Sequence, residues 1–129
     1  MHSDTLMLLR IERIADSQKR IARYLQAINF DRAALNDLNK IHSDISEAYN
    51  NVMKAYYNKD KKLALSIEVT NKDRTSVCDK FLESYTQSHT NTKNKNFHSS
   101  LVMVAKIIEN LKTTSVEVRN IARTVLCYE

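Results

Sequence analysis

Glu12 and Asp16 stand four residues apart in a stretch of helical composition, so both project from one face of a helix and can meet a shared cation. Carboxylates at that spacing repel by roughly 0.2–0.5 kcal/mol unless positive charge lies nearby. A hard metal such as Mg²⁺, iron or manganese, bound through oxygen, would supply it. So would Lys19, Arg20 and Arg23, which follow within reach of Asp16 and would make the same residues a solvated, ion-paired face. Spacing alone leaves both readings open. Asp79 and Glu83 form a second pair of this kind, but Lys80 sits between them and favours the solvated face.

Other chemistry finds less support. A di-iron bundle needs Glu-x-x-His on two helices, whereas Asn39, Thr86 and Lys95 stand three residues before His42, His89 and His98. The histidines are scattered and read as surface or bundle-edge residues, His42 at the border of an apolar seam. No Ser or Cys can be grouped from sequence with a His and an Asp, so nothing points to nucleophilic catalysis, and the chain reads as a non-enzyme. Tyr49, Tyr56 and Tyr57 lie at helical spacing and read as core or interface residues.

The chain has 129 residues with 20 basic and 15 acidic side chains, a net charge of +5. Residues 1–35 hold six basic and four acidic groups, 36–90 eight of each, and 91–129 six and three, so the modest excess lies at both ends. Arg13, Lys19, Arg20 and Arg23 could track a phosphate backbone, but Glu12 and Asp16 interleave with them and no aromatic series accompanies them. Cys78 and Cys127 form no C-x-x-C, which argues for a reduced, cytoplasmic setting and against a zinc site of that type. The first residues carry charge too close to their apolar run for a signal peptide, and no apolar run approaches the ~20 residues of a membrane span.

These side chains must be positioned by helices, because the chain contains no glycine and no proline. Average usage is roughly 7% and 5%. Their absence removes Walker-type phosphate loops, dinucleotide fingerprints and nucleophile elbows, each of which needs a tight turn or a close backbone approach. It also removes Asn-Gly hairpins, which argues against a β-rich fold. Asn, Asp and Ser must then end and start the helices. They cluster at Asn29-Phe30-Asp31, Asn58-Lys59-Asp60 and the tract 89–96.

Four helical stretches result. The first, 4–28, repeats through Met7, Ile14, Ile21 and Ile28, with Ile11 and Leu25 beside them. The second, 32–57, carries Leu38, Ile41, Ile45, Ala48, Val52 and Ala55. The third, 60–88, is seamed by Leu63, Ile67, Thr70, Val77, Phe81 and Tyr85, interrupted by Arg74. The fourth runs from Phe97 to Val125 in unbroken steps of four and three, with Ser115 its one polar member. Joined by short turns, they predict an all-α, antiparallel four-helix bundle forming one domain over 1–129. Segments 10–23 and 107–123, within the first and last stretches, resemble each other weakly, both finishing Ile-Ala-Arg. Leu6, Leu8 and Leu9 around Met7 put apolar groups on more than one helix face, which predicts a homodimer.

Leu9-Arg-Ile-Glu-Arg-Ile-Ala-Asp16, followed by Ile21-Ala22, resembles the signature that marks the last helix of each three-helix repeat in the PhoU family of phosphate-uptake regulators. Asp60-Lys-Lys-Leu-Ala64, then Asn71-Lys-Asp-Arg74, looks like the family's second helix. The resemblance implies one complete repeat over 32–127, preceded by the last helix, 4–28, of an incomplete one. The chain would then be a C-terminal or truncated piece of a longer regulator. It implies a non-enzymatic protein that restrains phosphate uptake and signalling by contacting a phosphate transporter or its sensor kinase. The competing implication is the dimerisation or sensor bundle of a transcription regulator, with nucleic acid reached only through a domain outside this chain. Some relatives hold multinuclear metal clusters through paired Glu/Asp-x-x-x-Asp motifs. Glu12 and Asp16 match one such motif, implying iron, zinc or magnesium there. In the complete repeat the matching positions are Glu109 with Thr113 and Asp73 with Val77, so no cluster of the family's kind is expected in it.

Overall fold

The computed structural model describes residues 2–88 and 95–127, with side chains over 5–88 and 99–127. Four helices account for nearly all of them: α1 (His2–Gln26), α2 (Arg32–Asn58), α3 (Lys61–Ser88) and α4 (Lys95–Leu126). Among the described residues there is no strand, and the chain is an all-α, antiparallel four-helix bundle.

The two turns among the described residues lie where Asn and Asp cluster. Asp31 caps α2: its extended backbone (φ −67°, ψ 159°) lets the side-chain oxygen accept the Ala34 N–H at 2.7 Å. Asp60 does the same for α3, accepting from the Leu63 N–H at 3.0 Å. Between them the residue that turns left-handed is Lys59 (φ 53°, ψ 39°), one place beyond the Asn58 that the sequence suggests. A side chain with a Cβ pays roughly 1–2 kcal/mol there. The Asp60 N–H reaching the Ala55 carbonyl at 2.9 Å closes the helix and offsets part of it. At the first turn α1 stops at Gln26, and Ile28 packs half-buried from the turn rather than from the helix. Most of the polar tract 89–96 lies outside the described residues, but Lys95 and Asn96 already belong to α4.

Antiparallel packing shows in the ion pairs. As α4 advances from Lys112 to Arg123, its partners on α3 retreat from Asp79 to Glu68. α4 packs against all three other helices and α2 also packs against α3, whereas among the described residues the backbone of α1 packs against α4 alone. That makes α4 the axis of the bundle. Its inward stripe Val104, Ile108, Leu111, Ser115, Val118, Ala122 and Val125 is buried as the periodicity predicts. A second buried row, Ile107, Asn110, Thr114, Glu117 and Ile121, faces α1.

The α2 seam is buried as expected from Leu38 to Ala55. The α3 seam is not the one hydrophobicity selects. Thr70 is exposed and Val77 is 48% exposed, while Asn71 and Cys78 turn inward. The reason lies on α4, where the Ser115 hydroxyl donates to the Asn71 side-chain amide oxygen, Oδ1, at 2.8 Å and holds the helix at that rotation.

This contact belongs to a polar layer that divides the core in two. One apolar cluster gathers Met7, Ile14, Val52, Ala55, Ala64, Val118 and Ile121. The other gathers Ile21, Leu38, Ile45, Cys78, Val104, Ile108 and Leu111. Between them lie Ser17, Asn71, Arg74, Thr114 and Ser115. Arg74 donates from Nε to Ser115 Oγ (3.1 Å) and from its two terminal nitrogens to Thr70 Oγ1 (2.7 Å) and the Ile67 carbonyl (2.8 Å). Burial lowers its pKa, opposed by the neighbouring Asp73. A one-turn slip of α3 along α4 would set Asn71 against aliphatic side chains, leaving a buried amide unpaired at about 1–3 kcal/mol. The layer therefore fixes register.

Candidate functional site

α1 forms because its buried positions recur at helical spacing, and it carries the residues singled out for metal chemistry. Met7, Ile14, Ser17 and Ile21 face α4, and the small Ser17, 1% exposed, lets the two helices approach closely. Glu12 and Asp16 fall on the other side, both exposed, one turn apart. Among the described residues no group of three or more His, Cys, Asp or Glu side chains converges on a point. Glu12 and Asp16 thus supply at most two oxygen-donor side chains, and further ligands would have to be water or another molecule. Two carboxylates suit a hard cation such as Mg²⁺ or an iron ion better than zinc, which favours nitrogen and sulfur.

The matching positions of the three-helix part stay apart from this pair. Glu109 and Asp73 are exposed on α4 and α3, and the Thr113 hydroxyl turns back to the Glu109 carbonyl at 3.0 Å. Asp79 pairs with Lys112 at 2.8 Å across the α3–α4 groove, so its partner is a lysine on another helix rather than Lys80.

The carboxylate that matters most to α1 is one that periodicity does not single out. Glu117, 7% exposed, accepts from Arg10 at 3.2 Å and lies 3.7 Å from Arg13. The pair clamps the first half of α1 onto α4, and Arg10 keeps a buried Nε without a hydrogen-bond partner. One turn further along, Gln18 Nε2 donates to Thr114 Oγ1 at 3.3 Å, and the Thr114 hydroxyl donates onward to the Asn110 carbonyl at 2.9 Å. Gln18 Oε1 then accepts from His42 Nε2 at 2.7 Å. With Gln18 Nε2 given to Thr114, Gln18 Oε1 can only accept, so His42 carries a proton on Nε2. His42 is half-buried at the edge of α2, as its position beside the seam suggests.

The Gln18–His42 bridge spans a cleft, because the α1 and α2 backbones do not pack together. On one side of it is a cavity of about 240 Å³ lined by Ala22, Leu25, Leu38, Asn39, Ile107 and Leu111. On the other is one of about 210 Å³ lined by Ile11, Ile14, Ala15, Ser46, Tyr49 and Thr114. Both are floored by α4, and no Asp, Glu, Lys or Arg lines either, though His42 lines the first. Either is too small for most cofactors, whose sites run to roughly 300–1,000 Å³. A third cavity, about 200 Å³, lies at the α2–α3 turn beside Tyr56, Tyr57, Lys59 and Val125. Tyr49 and Tyr56 are half-buried against the core and Tyr57 is 75% exposed.

The cleft and the polar layer were only partly signalled by the residues. Arg74 and Ser115 each interrupt an otherwise apolar stripe, and the two interruptions meet. Nothing in the periodicity of α1 or α2 separates a pair of touching helices from a pair that stands apart.

Leu6, Leu8 and Leu9 are 47%, 68% and 46% exposed near the start of α1, with Met7 between them buried in the core. No described helix is long and apolar enough to cross a membrane. Compared with known protein families, with curated proteins and with solved structures, the chain matches none.

Proposed function

We propose that this chain is a PhoU-like regulatory module of phosphate uptake and signalling, acting without catalysis through helix-face contacts with a phosphate transporter or its sensor kinase. The observation that carries the reading is the exposure of α1. The backbone of the helix that bears the PhoU-like residues packs against α4 alone, and its outer side displays Leu9, Glu12 and Asp16. An exposed leucine beside exposed carboxylates suits a protein partner better than a small molecule, whose sites are concave. The direct test is phosphate uptake in cells of the source organism. Deleting the gene should leave uptake high when phosphate is plentiful, and Leu9→Asp should fail to restore the restraint that the wild-type chain restores. Uptake that responds normally to phosphate after deletion would sink the reading.

A divalent cation at Glu12 and Asp16 accompanies this proposal. Its support is the one-turn spacing of two exposed carboxylates, a hard-oxygen set that Mg²⁺ or iron would accept. Bound metal should be lost on Asp16→Ala, measured by elemental analysis of the purified chain after equilibration with each metal in turn. Equal metal content in the two proteins rules the site out.

A further inference from the structure

Beside its buried row, α1 carries a second row at steps of four and three: Leu8, Glu12, Ala15, Lys19 and Ala22, all exposed. This row rims the α1–α2 cleft, since Ala15 and Ala22 line its two cavities. Its sequence is self-complementary when reversed. A second α1 laid antiparallel, with a two-fold axis passing beside Ala15, sets Leu8 against the partner's Ala22, Ala15 against the partner's Ala15, and Glu12 against the partner's Lys19. By symmetry each of the unlike contacts occurs twice. Among the described residues neither Glu12 nor Lys19 is held in an ion pair within the chain.

We infer that the occupant of the cleft is a second copy of this chain, each α1 lying antiparallel in the groove between α1 and α2 of the other. Leu8, at 68% the most exposed leucine of the described residues, then enters the 240 Å³ cavity beside the partner's Ala22. Alanine at Ala15 lets the two helices approach at the axis, and the cleft walls hold no Asp, Glu, Lys or Arg that the contact would bury unpaired. Large against small and plus against minus fix one orientation: a parallel pair would set Glu12 against the partner's Glu12 and Lys19 against the partner's Lys19, at a cost. The inference does not rest on the phosphate reading and is tested without it; it assigns Glu12 to the ion pair across the axis rather than to a cation, and the sedimentation series is run in chelator.

The experiment is sedimentation velocity on the full chain over a micromolar concentration series, in reductant so that exposed Cys127 forms no bridge. A dimer is expected for the wild type and a monomer for Leu8→Asp, with the helical circular dichroism of the two unchanged. Glu12→Lys and Lys19→Glu should each weaken dimerisation about tenfold, the effect of losing close charge pairs and gaining repulsion. Combining them should restore it. The two positions are seven residues apart on one helix and cannot compensate each other within a chain. A wild type that stays monomeric at every concentration, a dimer that survives Leu8→Asp, or a charge exchange that fails to restore association each overturns the proposal.

Discussion

Ile21-Ala22-Arg23 of α1 and Ile121-Ala122-Arg123 of α4 are the same three residues on two helices of one bundle, and their fates differ. Both isoleucines are buried, at 5% and 0% exposure. Ala122 is wholly buried, whereas Ala22 is exposed on the rim of the cleft. Arg123 reaches Glu68 on α3 at 3.2 Å, whereas Arg23 is exposed and has no ion pair among those described. Local sequence cannot be the cause. The α4 backbone packs against three helices and that of α1 against one, so a position one step round from the buried isoleucine meets a close-packed helix in the first case and the edge of the α1–α2 cleft in the second. A helix is buried by its neighbours, and its own pattern reports only the first of them.

The contrast can be broken with one substitution made twice. Ala122→Leu adds three carbons to a filled core and should cost about 1–3 kcal/mol of unfolding free energy. Both are made in the Leu8→Asp chain, which is expected to be monomeric, and there Ala22→Leu should change stability by less than about 0.5 kcal/mol, as exposed positions do. Urea unfolding of both variants decides it, and equal losses would mean that the cleft is closed in solution.

The two cysteines sharpen the same contrast with a smaller effect. Cys78 has no exposure and Cys127 is exposed. Burial, helped by the nearby Asp79, pushes the Cys78 thiol from its ordinary value of 9.0 up to about 11. At pH 8 a thiol reagent should therefore modify Cys127 quickly and Cys78 only on unfolding. Above pH 9 the unfolded chain loses the Cys78 proton before the folded chain does, so the folded state binds more protons and stability falls as pH rises from about 9 toward 11. Cys78→Ala should remove that part of the alkaline loss, read as a flatter dependence of the urea midpoint on pH. An unchanged slope would place the loss elsewhere.

Much of the bundle is legible in the residues. The unbroken stripe of α4, the α2 seam from Leu38 to Ala55, and the caps at Asp31 and Asp60 follow from periodicity and from turn chemistry in a chain without glycine. The α3 seam is misread by hydrophobicity because Asn71 looks like a surface residue until Ser115 supplies a partner. Lys59 rather than Asn58 turns left-handed because the Asp60 cap and the Ala55 carbonyl together set where the turn closes. At the candidate site, the one-turn spacing of Glu12 and Asp16 is a property of sequence, and so is the exposure of leucines around Met7. The clamp of Arg10 and Arg13 on Glu117 is not, since it joins positions more than a hundred residues apart.

By itself the sequence determined four helices, the two turns among the described residues and the inward face of three of the helices. Those depend on spacing along one chain and on backbone limits that neighbouring residues set. The tertiary structure decided which helix became the axis, where the polar layer pairs, and that α1 stands off from α2 across a cleft. Each of these is a relation between faces, settled by which side chains fill the space between helices, and no single helix carries that information.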